Sequence, residues 1–308
     1  MAGPAASVFA FEAIGTSWQI ETPVPLGPAE QSAVLSRIEE FDRVYSRFRG
    51  DSLVTAIASA EAVGSYEFPA DSDVLFELYD RLAAATAGAV DPLVGRDLEL
   101  LGYDRDYSLR PAPSPAPNPA LRPVAGASAR ATWTADVARR GRTLTTAPAV
   151  IDVGAAGKGY LVDLVAGVLR EHGRTEFVVD ASGDLVHAGP ASVRIGLEHP
   201  LDPTKAIGVA TLQNASLCAS ASNRRAWGDG LHHIVDGRTG SPAREVIATW
   251  VVTNGTGAAP TALADGLATA LFFTGAHRLA ETFHFSYVRM YADGRAEISR
   301  DFPGELFT

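Results

Sequence analysis

A single cysteine, Cys218, stands in 308 residues, so no intramolecular disulfide is available and nothing in the chain requires an oxidising compartment. Cys218 reads as a small core residue rather than a nucleophile. Basic residues are in deficit, 26 Lys and Arg against 36 Asp and Glu for a formal charge of −10, which argues against the basic face of a nucleic-acid binder. Any anionic ligand must be held by local donors. No apolar run reaches the eighteen residues of a membrane span. The opening MAGPAASVFAFEAIGTSW lacks a basic n-region and a sustained apolar h-region, so the expectation is a cytoplasmic protein. HExxH, Cys-x-x-Cys, G-x-S-x-G and the kinase set are all missing, which leaves neither a zinc site nor a hydrolase triad supported.

What is present is ordinary globular material: 46% hydrophobic and 20% charged residues, enough to bury a sizeable core. FAFEAIGTSWQIET (9–22) has the character of an opening strand turning at Gly15, and residues 29–48 follow with helical spacing at Val34, Ile38, Phe41 and Val44–Tyr45. A second helical pattern runs through Leu75, Leu78, Leu82 and Ala85 to a stop at Gly88, with Asp91-Pro92 as the exit turn. RPAPSPAPNPALRP (110–123) holds six prolines in fourteen residues, which favours polyproline II and a surface insertion over a core element. Residues 146–190 read as a short apolar strand, a glycine-rich turn, a helix striped by Leu161, Leu164, Val165, Val168 and Leu169, and a second strand. Four β-rich segments, a helix over 261–273 and a hairpin turning at Asp293-Gly294 complete the chain.

Three constellations carry chemistry. In ALADGLATALFFTG (262–275) the acid Asp265 and the alcohol Thr269 stand four residues apart, on one helix face. Their hard oxygens suit partial ligation of a cation such as Mg²⁺; the plainer reading is an acid favoured by the helix dipole and a threonine bonded back to a carbonyl. DVGAAGKGY (152–160) places Gly154, Gly157, Lys158 and Gly159 at a helix start, where free N–H groups attract phosphate. It is neither Walker A nor G-x-G-x-x-G, because the spacing is G-x-x-G-x-G; the alternative is a glycine turn needed only for close packing. GLHHIVDGRTGSP (230–242) alternates so that His233 and Val235 face one way and His232, Ile234 and Asp236 the other. One histidine should therefore face a site, where its pKa near neutrality suits proton transfer, while the other packs or meets solvent.

Taken in order, these blocks resemble the ApbE family of FAD:protein FMN transferases over roughly residues 9 to 275. AIGTSWQI resembles the family's opening strand, FDRVYSRFRGDSLVTAI its serine–aromatic–basic segment, and AVDPLVGRDLELLGYD its D-x-T-V-G-P-L run. IDVGAAGKGYLVDLV, VVDASGDLVHAG, HHIVDGRTGSP and ALADGLATALF match four later family blocks. The resemblance implies an α+β fold, T-fold-like, of antiparallel sheets with packed helices and a ligand cleft between lobes, in a single domain spanning 1–308. It implies that Asp265, Thr269 and the main-chain carbonyl of Ala155 bind Mg²⁺ or Mn²⁺. It further implies that FAD lies against Ile14, Phe48, the Ala89–Val90–Asp91 turn, Asp152, Lys158, Gly183 and Ile234, with His233 as the candidate base or a positioning residue.

The implied activity is transfer of FMN from FAD to a Thr or Ser hydroxyl of an acceptor protein, with AMP released. Two alternatives stand beside it: a Mg²⁺-dependent FAD pyrophosphatase giving FMN and AMP, and a flavin-binding protein without catalysis. Three positions depart from the family pattern. Ala219-Ser220-Ala221 replaces Thr-Ser-Gly, Gly154-Ala155 replaces Gly-Gly, and Gly237 replaces a proline. The first of these is expected to alter flavin contacts.

Overall fold

The computed structural model describes residues 7–112 and 130–307. The opening hairpin is β1 (Ser7–Ala13) with β2 (Thr16–Thr22), followed by α1 (Pro28–Tyr45), α2 (Leu53–Ala58), β3 (Gly64–Glu67) and α3 (Ser72–Thr86). A 3₁₀ turn at Pro92–Val94 leads into α4 (Gly95–Leu100), and α5 (Trp133–Asp136), β4 (Val137–Arg140) and β5 (Thr143–Thr146) precede the long α6 (Gly157–Glu171). Then come β6 (Phe177–Asp180), β7 (Asp184–Ala188), β8 (Val193–His199), β9 (Asp202–Leu212) and β10 (Ala215–Ala221). Four two-residue bridges follow: β11 (Ala226–Trp227), β12 (Leu231–His232), β13 (Val235–Asp236) and β14 (Ser241–Pro242). The chain closes with β15 (Val246–Asn254), α7 (Pro260–Ala270), α8 (Ala276–Leu279), β16 (Ser286–Tyr291), β17 (Ala296–Ile298) and β18 (Gly304–Leu306).

Eight strands form one sheet in the order β1-β2-β6-β7-β10-β15-β16-β17, every neighbouring pair antiparallel. Its two faces bury different layers, and β15 shows how. Val251 belongs to the core shared with the helices, whereas Trp250 and Val252 on either side of it belong to a second core, as the two-residue period of a strand requires. The first core gathers α1, α3, α6 and α7 through Ile38, Leu75, Leu161, Val165 and Leu267. The second packs the small sheet β18-β9-β8 on the opposite face through Leu197, Leu212 and Phe302. The expected α+β class of antiparallel sheets with packed helices is therefore the architecture of the chain.

Local chemistry explains the helix ends. α1 begins with Pro28, whose missing N–H costs nothing there, and the Glu30 carboxylate accepts the Gly27 N–H at 2.7 Å. α3 stops where Ala87 and Gly88 turn left-handed, at φ 52° and 84°, and the Gly88 N–H closes on the Ala83 carbonyl. The first hairpin turns through Ile14 and Gly15 at φ 46° and 74°, the geometry of a type I′ turn, although a β-branched residue there is strained. The turn at Asp293-Gly294 lies between β16 and β17, with Gly294 at φ 88°.

Two expectations fail. The apolar run before the glycine turn is not a strand: residues 147–153 carry no regular structure, although Ile151 and Val153 are buried. The Asp152 N–H donates to the Pro92 carbonyl, so this segment is tied to a 3₁₀ turn instead of a ladder. The helix expected over 261–273 is α7 and ends at Ala270, the residues after it closing in tight turns onto the Thr269 and Ala270 carbonyls. The proline-rich stretch from residue 113 onward lies outside the described residues. Among the described residues no helix is long and apolar enough to cross a membrane.

Candidate functional site

A cavity of about 1100 Å³ opens among the first hairpin turn, the end of α1, the 152–158 turn, the inner strands of the large sheet, β8 and the 233–235 segment. Ile14, Phe48, Ala89, Val90, Asp91, Asp152, Ala155, Lys158, Gly183, His233, Ile234, Asp265 and Thr269 all line it. Residues widely separated in the chain thus line one cavity.

The metal candidates converge because α6 and α7 cross closely. The Gly159 N–H donates to Asp265 Oδ2 at 2.9 Å. A Cβ on Gly159 would collide with the Thr261 carbonyl oxygen and sit 2.7 Å from Asp265 Cβ, so this glycine is demanded by the close approach of the helices. One turn along α7, the Thr269 hydroxyl donates to the Ala155 carbonyl at 3.4 Å. The start of α7 is held from α6 as well, where Asp163 accepts the N–H groups of Thr261 and Ala262 at 2.9–3.1 Å. Burial pushes the Asp163 carboxyl up to about 6.

The electrostatics around α7 favour a cation. Asp265 is 4% exposed and Asp184 is fully buried. Burial, and then the charge of Asp184, push the Asp265 carboxyl well above the usual carboxylate range. Lys158 approaches Asp184 Oδ2 at 2.9 Å and donates to the Ala181 carbonyl at 3.0 Å. Burial pulls its ammonium down, but Asp184 and Asp265 outweigh burial and hold it charged. Two buried carboxylates therefore share one lysine. The donors at this wall, a carboxylate, a hydroxyl and a carbonyl, are hard oxygens that fit Mg²⁺ or Mn²⁺. No group of three or more His, Cys, Asp or Glu is gathered for a metal among the described residues, so a metal held here would need main-chain or hydroxyl oxygen beside the carboxylate.

Asp152 is engaged on both oxygens, by Arg47 Nε at 2.5 Å and by the Gly154 N–H at 2.6 Å. Burial opposes its ionisation, yet Arg47 prevails and holds it below its ordinary value. Asp91 spends its carboxylate on the Trp133 and Leu93 N–H groups at 2.8–3.2 Å, which leaves the main chain of the 89–91 turn as its contribution to the cavity. Gly237 packs against that turn: its N–H donates to the Ala89 carbonyl, and a Cβ there would meet the Gly88 carbonyl oxygen at 2.7 Å.

Only His233 of the two histidines lines the cavity, but not by strand alternation: 233–234 lie between bridges, and Ile234, expected on the side of His232, lines the cavity together with His233 and Val235. His232 is buried, with Nε2 2.7 Å from the Ala243 carbonyl and Nδ1 accepting the Ile234 N–H. His233 lines the cavity with Nδ1 unpartnered among the described residues. Burial, then Arg225 and His232, push its imidazole down to about 3, so it is neutral at pH 7. Cys218 is fully buried against the Thr261 carbonyl, and burial raises its thiol well above the ordinary range, as a core residue requires. At the departure Ala219-Ser220-Ala221, all three residues line the cavity and the Ala219 N–H donates to the Gly183 carbonyl at 2.9 Å.

Among the further cavity residues, Arg47, Tyr103 and Asp184 sit inside the quoted blocks without being singled out as site residues, and Arg225 lies outside every block. Only Arg47 offers a usable signal, a cation set between the positions of two aromatics in VYSRF. Asp184 and Tyr103 matter through partners far away in sequence.

A model of the ApbE family matches residues 14–288. Among curated proteins, the FAD:protein FMN transferase of Klebsiella pneumoniae is 25% identical, over 93% of this chain and 83% of that protein. The FAD:protein FMN transferase of Treponema pallidum is 28% identical, over 85% of this chain and 77% of that protein. Among solved structures, the ApbE protein of Thermotoga maritima superposes with a TM-score of 0.80 at 24% identity, covering 98% of this chain and 100% of that one. The flavin transferase ApbE of Vibrio cholerae gives 0.76 at 20% identity, covering 97% and 98%. The matched span runs from the strained turn at Ile14 past α7, and so takes in every wall residue described above. On that span, with the fold shared along its whole length, this protein belongs to the ApbE family.

Proposed function

We propose that the protein transfers FMN from FAD to a Thr or Ser hydroxyl of an acceptor protein and releases AMP. The acceptor oxygen forms a bond to the FMN-side phosphorus, the bond from that phosphorus to the bridging oxygen breaks, and the bridging oxygen leaves on AMP. The observation that supports this most is the convergence of Asp265, Thr269 and the Ala155 carbonyl on the wall of a cavity large enough for a dinucleotide.

Asp265, Thr269 and Ala155 would hold a divalent cation, which when bound supplies neutralisation of diphosphate charge. The chain's own groups do the rest. Lys158, kept charged by Asp184, faces the side where phosphate charge gathers. The 154–159 turn borders the cavity, but it is not the row of free donors its glycines suggest: the N–H groups of Gly154, Gly157 and Gly159 are spent on Asp152, the Val153 carbonyl and Asp265, so Lys158 is its charged donor toward phosphate. His233, neutral and with Nδ1 unpartnered among the described residues, takes the proton of the attacking hydroxyl as its oxygen bonds to phosphorus. Its base strength rises once the diphosphate's negative charge is bound nearby.

Incubation with FAD and Mg²⁺, with and without an acceptor domain, tests the reading. Acceptor-dependent AMP release with flavin retained on the denatured acceptor supports it. Free FMN and AMP without a covalent adduct would make the protein a pyrophosphatase. Bound flavin with no AMP would make it a binding module.

A further inference from the structure

The aromatic end of the cavity holds a buried cation whose hydrogen-bond donors are only partly used. Arg47 is 7% exposed, and its Nε donates to Asp152 at 2.5 Å. Its guanidinium carbon lies 4.3 Å from the Phe48 ring centroid and 4.9 Å from that of Tyr103, so the group is pinned on two aromatic faces. Nη1 and Nη2 are buried with no partner among the described residues, and the Tyr103 hydroxyl is in the same condition. Both residues line the cavity. Buried charged donors left unmade are expensive, and each such group calls for an explanation; a ligand that completes them is the simplest one.

The chemistry of the edge narrows the ligand. A guanidinium presents parallel N–H groups that match two adjacent acceptors. Arginine takes the acceptor–acceptor edge of guanine for this reason, whereas adenine sets a donor beside an acceptor and suits Asn or Gln. The oxidised isoalloxazine carries two acceptor–acceptor edges, N1 with the C2 carbonyl and N5 with the C4 carbonyl. The surroundings favour a ring over a phosphate: Phe48 stacks on Tyr107 at 4.9 Å and meets Tyr103 edge-on at 5.4 Å. The hard oxygens wanted by a cation that neutralises phosphate belong instead to Ala155, Asp265 and Thr269.

We propose that Arg47 is a specificity-determining residue that grips an acceptor–acceptor edge of the flavin ring through Nη1 and Nη2, with Asp152 fixing the guanidinium. This rests on the reading of the cavity as the FAD site. It makes Arg47 the residue that distinguishes the flavin end of FAD from its adenine end.

The test measures binding of riboflavin, which lacks phosphate, of ADP, which lacks the flavin ring, and of FAD, each with Mg²⁺. Arg47→Lys keeps a charge for Asp152 but loses the fork. It is expected to weaken riboflavin and FAD by about 10- to 100-fold and ADP by less than about twofold. If Arg47→Lys does not fold, as judged by its melting curve, Arg47→Gln combined with Asp152→Asn gives the same comparison with neutral partners. Equal weakening of riboflavin and ADP, a loss confined to ADP, or unchanged riboflavin binding each overturns the assignment of Arg47 alone. Wild-type protein that binds neither FAD nor riboflavin overturns the cavity assignment and Arg47 with it.

Discussion

The main-chain N–H of Gly159 donates to the Asp265 carboxylate at 2.9 Å, and this bond joins the helix that opens with the glycine turn to the helix that carries the candidate metal ligands. The approach leaves no room for a side chain. Gly159→Ala would drive a Cβ into the Thr261 carbonyl and Asp265 Cβ, an overpacking expected to cost about 1–3 kcal/mol. Urea unfolding should show a lower midpoint with an unchanged slope, and wild-type stability in the variant would mean that the two helices do not meet this closely.

Asp265→Asn should reverse its effect with metal. The folded carboxyl lies above the ordinary value of 3.8, so its contribution to stability is present at acid pH and lost as pH rises from about 4 toward the folded value. At pH 7 without metal the variant is therefore more stable than wild type. With Mg²⁺ at about 100 times its Kd the wild type gains about 2.7 kcal/mol and the variant gains nothing. Melting curves at both conditions check the crossing.

His233→Gln should flatten the acid limb of the stability profile. The folded imidazole titrates near 3 and the unfolded one near 6.5, so the unfolded chain binds more protons across that window. Wild-type stability then falls as pH drops below about 6.5, by at most about 1.4 kcal/mol per pH unit, and the variant is spared that share of the fall. Urea midpoints from about pH 7 to about pH 5 read the difference. In FMN transfer under single-turnover conditions, His233→Ala should lose about 10²- to 10⁴-fold; unchanged transfer removes His233 from any proton-transfer role.

Ile14→Asn separates folding from binding. Ile14 occupies a left-handed backbone position, φ 46°, in the turn at the cavity wall. Asparagine before Gly15 suits that turn, and relief of the strain, about 1–3 kcal/mol, offsets the weaker apolar packing of the shorter, polar side chain. Unfolding should show stability unchanged or raised by up to about 1 kcal/mol, while riboflavin binding weakens. Unchanged riboflavin binding would show that Ile14 does not touch the flavin.

Part of this site is legible in the sequence, and the reason is periodicity. Asp265 and Thr269 fall on one face of α7 because four residues make about one turn, and the pair needs no tertiary knowledge to be noticed. The glycine turn is equally visible, but the purpose of Gly159 is not: its missing Cβ serves the crossing of α7, 106 residues on. Pairings across long separations account for the rest. Arg47 meets Asp152 across 105 residues, and Lys158 is compensated by Asp184 from the next β-hairpin of the large sheet. The strand expected before the glycine turn is absent because apolar character there records burial of Ile151 and Val153, not a ladder partner.

Diffraction from crystals soaked with FAD and Mn²⁺ would test the central claim most directly. An anomalous peak bonded to the Asp265 carboxylate, the Thr269 hydroxyl and the Ala155 carbonyl, and to an oxygen of the FAD diphosphate, is the predicted result. FAD bound with its diphosphate away from the 154–159 turn, or manganese held elsewhere, would contradict it.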